Sequence, residues 1–213
     1  MKKLENIQVI VWDVDGTLYQ DSAELKSRIR QCLVAAMMSK LKIDAAEATR
    51  LIAEHYQKLA STTRMLLNLD FSWEEIRELG SEYLEIKKQF LRKDPRLAEM
   101  FSQLTGFRHL LATNNFASHA RTLIAYLGLK PETFEKIFGV TPAAIKPQPA
   151  FFQRILGYTR LPASTHLFVG DREETEIVPA HHLGMRTAQV WAEESTAADV
   201  CLPEVYAIVK ALT

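Results

Sequence analysis

Residues 7–12, IQVIVW, form a nearly unbroken run of apolar and β-branched side chains. Such a run predicts a strand buried on both faces, because a strand with one wet face alternates. From about Asp21 to Leu91 the pattern turns helical. Apolar residues recur at three and four: Leu25, Ile29, Leu33 and Ala36, then Leu51 and Leu59, then Ile76, Leu79, Tyr83 and Ile86. Three pairs have capping-box spacing, Asp21 with Glu24, Asp44 with Glu47, and Ser72 with Glu75. No strand signal interrupts this stretch, which predicts a helical bundle. Met37, Met38 and Met65 read as its core.

Alternation returns after Asp94-Pro95. Strands are predicted in FRHLLAT (107–113), KIFGV (136–140), HLFVGD (166–171) and RTAQVW (186–191). Helices are predicted around 96–104, 117–127, 149–156, 175–183 and 204–212. Pro179 is tolerable in the fourth of these if it sits in the first turn. A strand, a helical insert and then repeated βα units describe an α/β fold, a doubly wound parallel sheet with an inserted helical-bundle cap after the first strand. The expected division is a core of 1–17 and 93–213 with a cap of 18–92, hinged near Leu18–Gln20 and Arg92–Pro95.

Ligands of such sheets sit outside the carboxyl ends of the strands. Asp13, Asp15 and Thr17 follow the first strand. Thr113 and Asn114 follow the second. Lys146-Pro147 comes after KIFGV and a loop, and Asp171 follows HLFVG with Glu173, Glu174 and Glu176 behind it. Carboxylates at the edge of a core are costly unless solvated or paired with something positive. Taken singly, DVDG reads equally well as a solvated turn, Lys146-Pro147 as a surface turn and Thr113-Asn114 as a helix cap. His181 and His182 read as structural.

Bulk composition narrows the partners. The 213 residues carry 26 Lys plus Arg against 26 Asp plus Glu, for zero net charge. That balance gives no electrostatic reason to expect a nucleic acid polymer. A small phosphorylated ligand needs only local charge. Cys32 and Cys201 are far apart and in no metal-binding spacing, which fits a reducing compartment. No apolar stretch is long enough for a membrane span or signal peptide, so the chain reads as cytoplasmic, monomer or homodimer.

The four strand-end motifs, DVDGT, TN, KP and GDREETE, resemble those of the haloacid dehalogenase-like (HAD) superfamily, in family order and over essentially the whole chain. The resemblance, to its helical-cap phosphatases, implies a Rossmann-like core and a Mg²⁺-dependent phosphomonoester hydrolase. It makes Asp13 the nucleophile that forms an aspartyl-phosphate, and Asp15 the acid and base. It gives Mg²⁺ the oxygens of Asp13, Asp15 (main chain) and Asp171, with Glu176 where the family often has Asp. Thr113 and Lys146 would contact the phosphoryl group, with Gly16, Thr17 and Asn114 beside it. The cap segment 46–67, AEATRLIAEHYQKLASTTRMLL, is weakly similar to the pyrimidine 5′-nucleotidase-like branch, although Gly16 and Ser61 depart from that branch's Asn and Gly. The implied substrate is a small phosphorylated metabolite, a nucleoside 5′-monophosphate or phosphoglycolate among the options, and Arg64 is the candidate cap contact. A phosphomutase or a non-catalytic phosphometabolite-binding protein would keep the same motifs. Halide displacement needs no leaving-group acid and no metal, so Asp15 argues against a dehalogenase.

Overall fold

The computed structural model describes residues 4–212. They fall into two compact units, one made of the chain up to Gln20 and from Lys93 onward, the other of Asp21–Arg92.

The first unit is built on six parallel strands among the described residues, β1 (Val9–Trp12), β2 (Arg108–Ala112), β3 (Lys136–Phe138), β4 (His166–Gly170), β5 (Arg186–Val190) and β6 (Val200–Leu202). Their order is β3-β2-β1-β4-β5-β6. Chain order reverses between β1 and β4, so the crevice of a doubly wound sheet falls at the carboxyl ends of these two strands. All four residues of β1 are fully buried, as the unbroken apolar run predicts. Val9 and Val11 join Phe138, Phe151, Phe152, Ile155 and Phe168 in one core layer. On Trp12, from the alternate positions, Phe101 packs edge-to-face at 5.1 Å, and the Trp12 indole N–H donates to His109 Nδ1 at 3.1 Å. Each large side chain so buried contributes about 1.5–3 kcal/mol. Helices cover the sheet: α5 (Pro95–Gln103), α6 (Ala117–Tyr126), α7 (Pro149–Thr159), α8 (Val178–His182) and α9 (Ile208–Leu212).

The second unit holds α1 (Ala23–Leu41), α2 (Ala45–Leu59), α3 (Thr62–Asn68) and α4 (Trp73–Phe90). Its core includes Leu25, Leu33, Met37, Ile52, Met65, Leu66, Ile76 and Leu79.

Several local expectations shift. The cap of α1 is Ser22, whose hydroxyl accepts from the Leu25 amide, and not its neighbour Asp21. Asp44 caps α2, but Glu47 turns to Arg50 instead of closing a box; Ser72 and Glu75 form the complete capping box. The α2 face buries Ala48 and Ile52, with Leu51 and Leu59 half-buried, and Met38 is exposed. The helix expected at 175–183 is a π turn, Glu173–Ile177, running into α8, with Pro179 in the first turn of the latter. The terminal helix begins at Ile208 after a tighter turn at Val205–Ala207. The short strand β6 has no counterpart among the expected elements.

Candidate active site

Parallel pairing delivers the motif residues to one edge. The Asp13 amide donates to the Val169 carbonyl (2.9 Å), which extends the β1–β4 ladder by one residue past Trp12. The Thr113 amide does the same to Phe138 (2.9 Å) at the end of β2. Asp13, Thr113, Lys146 and Glu176 are each at most 3% exposed.

Lys146 is the hub. Its Nζ donates to Asp13 Oδ1 at 2.6 Å and to Glu176 Oε1 at 2.7 Å. Burial by itself lowers an ammonium pKa, but the charges of Asp13 and Glu176 outweigh it and hold Lys146 above its usual range. The Lys146 main chain is bracketed by one side chain: Asn114 Oδ1 accepts from its amide (2.8 Å) and Asn114 Nδ2 donates to its carbonyl (3.0 Å). Asn114, expected beside the phosphoryl group, is thus directed to the backbone of Lys146, where it positions the lysine. Thr17 joins two strand ends, its hydroxyl lying 3.3 Å from Asp13 Oδ2 and 3.2 Å from Asp171 Oδ1. Thr113 Oγ1 accepts from the Asn115 amide (3.1 Å), a bond that uses a lone pair and not the hydroxyl proton.

Glu176 is reached through the π turn. Its Oε2 accepts from the amides of Asp171 (3.1 Å) and Arg172 (3.3 Å), so the carboxylate spans from Lys146 to the backbone of the Asp171 loop. Gly170 makes room for it, since a Cβ there would lie 2.2 Å from Glu176 Oε2. Gly16 has a matching role. It turns the loop after β1 at φ +86°, and a Cβ would lie 2.5 Å from Asp171 Oδ2.

The electrostatics show what this cluster lacks. One carboxylate oxygen each of Asp13, Asp171 and Glu176 lies within 4.8 Å of the others. Three carboxylates crowd one buried ammonium, with the Arg172 guanidinium 3.8 Å from Asp171 Oδ2 on the exposed side, so negative groups outnumber positive ones. Burial, then the charge of Glu176, raises Asp13 to about 7 despite Lys146. Burial, then the charge of Asp13, raises Asp171 to about 6. Clustered carboxylate oxygens, with burial and mutual repulsion raising the pKa values of Asp13 and Asp171, fit a hard divalent cation.

The structure therefore brings Asp13, Asp15, Gly16, Thr17, Thr113, Asn114, Lys146, Asp171 and Glu176 to one sheet edge. Arg64 belongs to the helical unit, where its Nη1 donates to the Leu59 carbonyl at the end of α2 (3.1 Å). Three further residues, none of them a predicted site residue, touch this edge. The Tyr19 hydroxyl donates to Asp15 Oδ1, Gln189 Nε2 donates to the Asp171 carbonyl at 3.2 Å, and Trp191 Nε1 donates to the Thr17 carbonyl at 3.0 Å. Tyr19 alone had a local clue, four residues after Asp15 in one turn of chain.

Comparison with known proteins gives the family. The chain is 24% identical over 197 residues to phosphate metabolism protein 8 of Saccharomyces cerevisiae, covering 84% of this chain and 60% of that protein. It is 26% identical over 194 residues to a phosphoglycolate phosphatase of Pectobacterium atrosepticum, covering 88% and 81%. Among solved structures, a HAD phosphatase from Thermococcus onnurineus shares the fold with a TM-score of 0.69 at 20% identity, covering 97% of this chain and 98% of that one. Residues 7–184 match the haloacid dehalogenase-like hydrolase family, and with that match the chain belongs to this family.

Proposed function

We propose that the protein is a Mg²⁺-dependent phosphomonoester hydrolase that acts through an aspartyl-phosphate on Asp13. The observation that carries this reading is the pair of acids after β1. Asp13 is buried against Lys146, while Asp15 is half-buried and held by Tyr19. Two acids in such different surroundings suit two roles. Asp13 attacks phosphorus, and Lys146 and the Thr113 hydroxyl stabilise the phosphoryl oxygens. Asp15 protonates the departing oxygen and then takes a proton from the water that attacks the aspartyl-phosphate. Bound Mg²⁺ supplies charge neutralisation at the phosphoryl group. Asp13, the main-chain carbonyl of Asp15 and Asp171 hold it. Glu176, drawn to Lys146 and two amides, orients these groups.

The substrate is a small phosphorylated metabolite. Phosphoglycolate has support from the name of the Pectobacterium relative, and a nucleoside 5′-monophosphate from the cap segment 46–67. Discrimination between them belongs to the helical unit, with Arg64 as its proposed cationic contact.

Phosphate release from UMP, CMP, AMP, phosphoglycolate and sugar phosphates, with and without Mg²⁺, tests the reading. Asp13→Asn should lower turnover by about four orders of magnitude or more, the scale for losing a nucleophile. Normal turnover in that variant overturns the covalent scheme. A sugar phosphate isomer in place of free phosphate identifies a mutase, and no reaction with any compound points to a binding protein.

A further inference from the structure

Trp191 is an odd residue to find immediately after β5 with φ at +57°. A left-handed conformation brings the Cβ of a bulky L-residue too close to the following carbonyl and is disfavoured. It persists only where the surroundings over-determine it. Two contacts do so here. The indole N–H donates to the Thr17 carbonyl (3.0 Å), and the ring meets Tyr206 edge-to-face at 6.3 Å and 83°.

Tyr206 is itself anchored on the far side. Its hydroxyl donates to Asp94 Oδ2, and the Arg96 guanidinium lies 4.3 Å above its ring. Arg96 closes the group by pairing with Asp94 Oδ2 at 3.0 Å. Asp94 caps α5 by accepting from the Arg96 amide (2.9 Å), and its own amide donates to the Leu127 carbonyl (3.1 Å). A continuous path thus runs from the cap of α5 through Tyr206 and Trp191 to Thr17. Thr17 continues it to Asp13 and Asp171 through the side-chain hydroxyl.

The ends of this path matter. Thr17 is the last motif residue before the chain passes to the helical unit, and Asp94 caps the first helix after it returns. Neither Trp191 nor Tyr206 touches a carboxylate of the site, so neither is a catalytic residue. We propose that Trp191 and Tyr206 are positioning residues: they tie the two chain junctions of the sheet unit together and hold the Thr17 hydroxyl on Asp13 and Asp171. The consequence for turnover rests on the phosphatase reading; the tie does not.

Hydrogen–deuterium exchange of the full chain separates the two. The amides of Leu18 (to Val14 O, 3.0 Å) and of Asp94 and Leu97 (to Leu127 O and Asp94 O, both 3.1 Å) report the two junctions. Trp191→Phe keeps an aromatic ring and removes the N–H together with part of the indole's bulk. Tyr206→Phe removes only the hydroxyl. Each should speed exchange about tenfold at both junctions, including the one its lost bond does not touch, and leave β2 unchanged. Acceleration confined to the directly bonded junction, or spread equally to β2, overturns the proposal, as does no change at either. In hydrolysis, both variants should lower kcat about tenfold at unchanged KM. A parallel rise in KM with kcat unchanged would remove the positioning role while leaving the phosphatase reading intact.

Discussion

Glu176 is where a single side chain has two possible jobs. As a ligand it would contribute charge to a cation; as a brace it holds Lys146 and the Asp171 loop. The distances of 2.7 Å to Lys146 and 3.1 Å to the Asp171 amide favour the brace. Glu176→Gln distinguishes them by calorimetric titration with Mg²⁺ across pH. The charge of Glu176 is the second cause, after burial, that raises Asp13. Removing it lets Asp13 ionise at lower pH, so protons release the site to Mg²⁺ earlier. For a brace, affinity on the alkaline plateau falls about tenfold, as for outer partners of a metal site, and the pH at which binding is half lost moves down. A loss beyond about a hundredfold at every pH makes Glu176 a ligand instead.

At the scale of elements, the end of β4 and the π turn form one device. Gly170 has no side chain, and Glu176 Oε2 occupies the space a Cβ would need. Gly170→Ala should therefore push the carboxylate off the Asp171 amide. The added Cβ would also lie 3.1 Å from Glu176 Cβ, so the π turn must give as well; stability should fall by about 1–3 kcal/mol, while kcat falls at least tenfold. A thermal melt beside a turnover measurement checks this; full activity would show that the brace is dispensable. This device was not legible beforehand, because Gly170 reads as an ordinary strand end until Glu176 is seen above it. The strands were legible where burial on both faces makes the run apolar, throughout β1 and over Leu110–Ala112 of β2 and Leu167–Val169 of β4. The short strand β6 was not: VCL offers three residues, too few for a period, after the polar stretch AEESTAAD. Caps were legible to within a residue. Asp21 and Ser22 are both cap formers, and only the backbone reveals that Ser22 takes the role. Asp13, Asp15, Lys146 and Asp171 were visible as strand-end residues. Trp191 and Tyr206 were not, since their contacts join positions far apart in the chain.

The molecule as a whole registers the site through its stability. Asp13 at about 7 and Asp171 at about 6 lie above their ordinary carboxylate values, so without a cation the folded chain binds protons more tightly than the unfolded one. Between about pH 4 and 7 the unfolded state therefore holds fewer protons, and stability contributed by these groups is lost as pH rises. His109 and His166 act in the opposite sense. Burial lowers both, so the folded chain binds their protons less readily and gains stability as pH rises towards 6.5. The raw pH dependence of melting mixes these signs. The difference between melts with Mg²⁺ and with chelator cancels the histidines, which are common to both. At pH 8 the carboxylates are ionised and Mg²⁺ relieves their repulsion. A hundredfold excess over Kd is worth about 2.7 kcal/mol, or about 5–10 °C in Tm for a chain of this size. At pH 5 protons already occupy Asp13 and Asp171, and the shift should shrink to about 2 °C or less. Asp171→Asn should abolish it at both pH values. Equal shifts at pH 5 and pH 8 in the unaltered protein would mean that Mg²⁺ binds away from these carboxylates, and the metal assignment would fall with them.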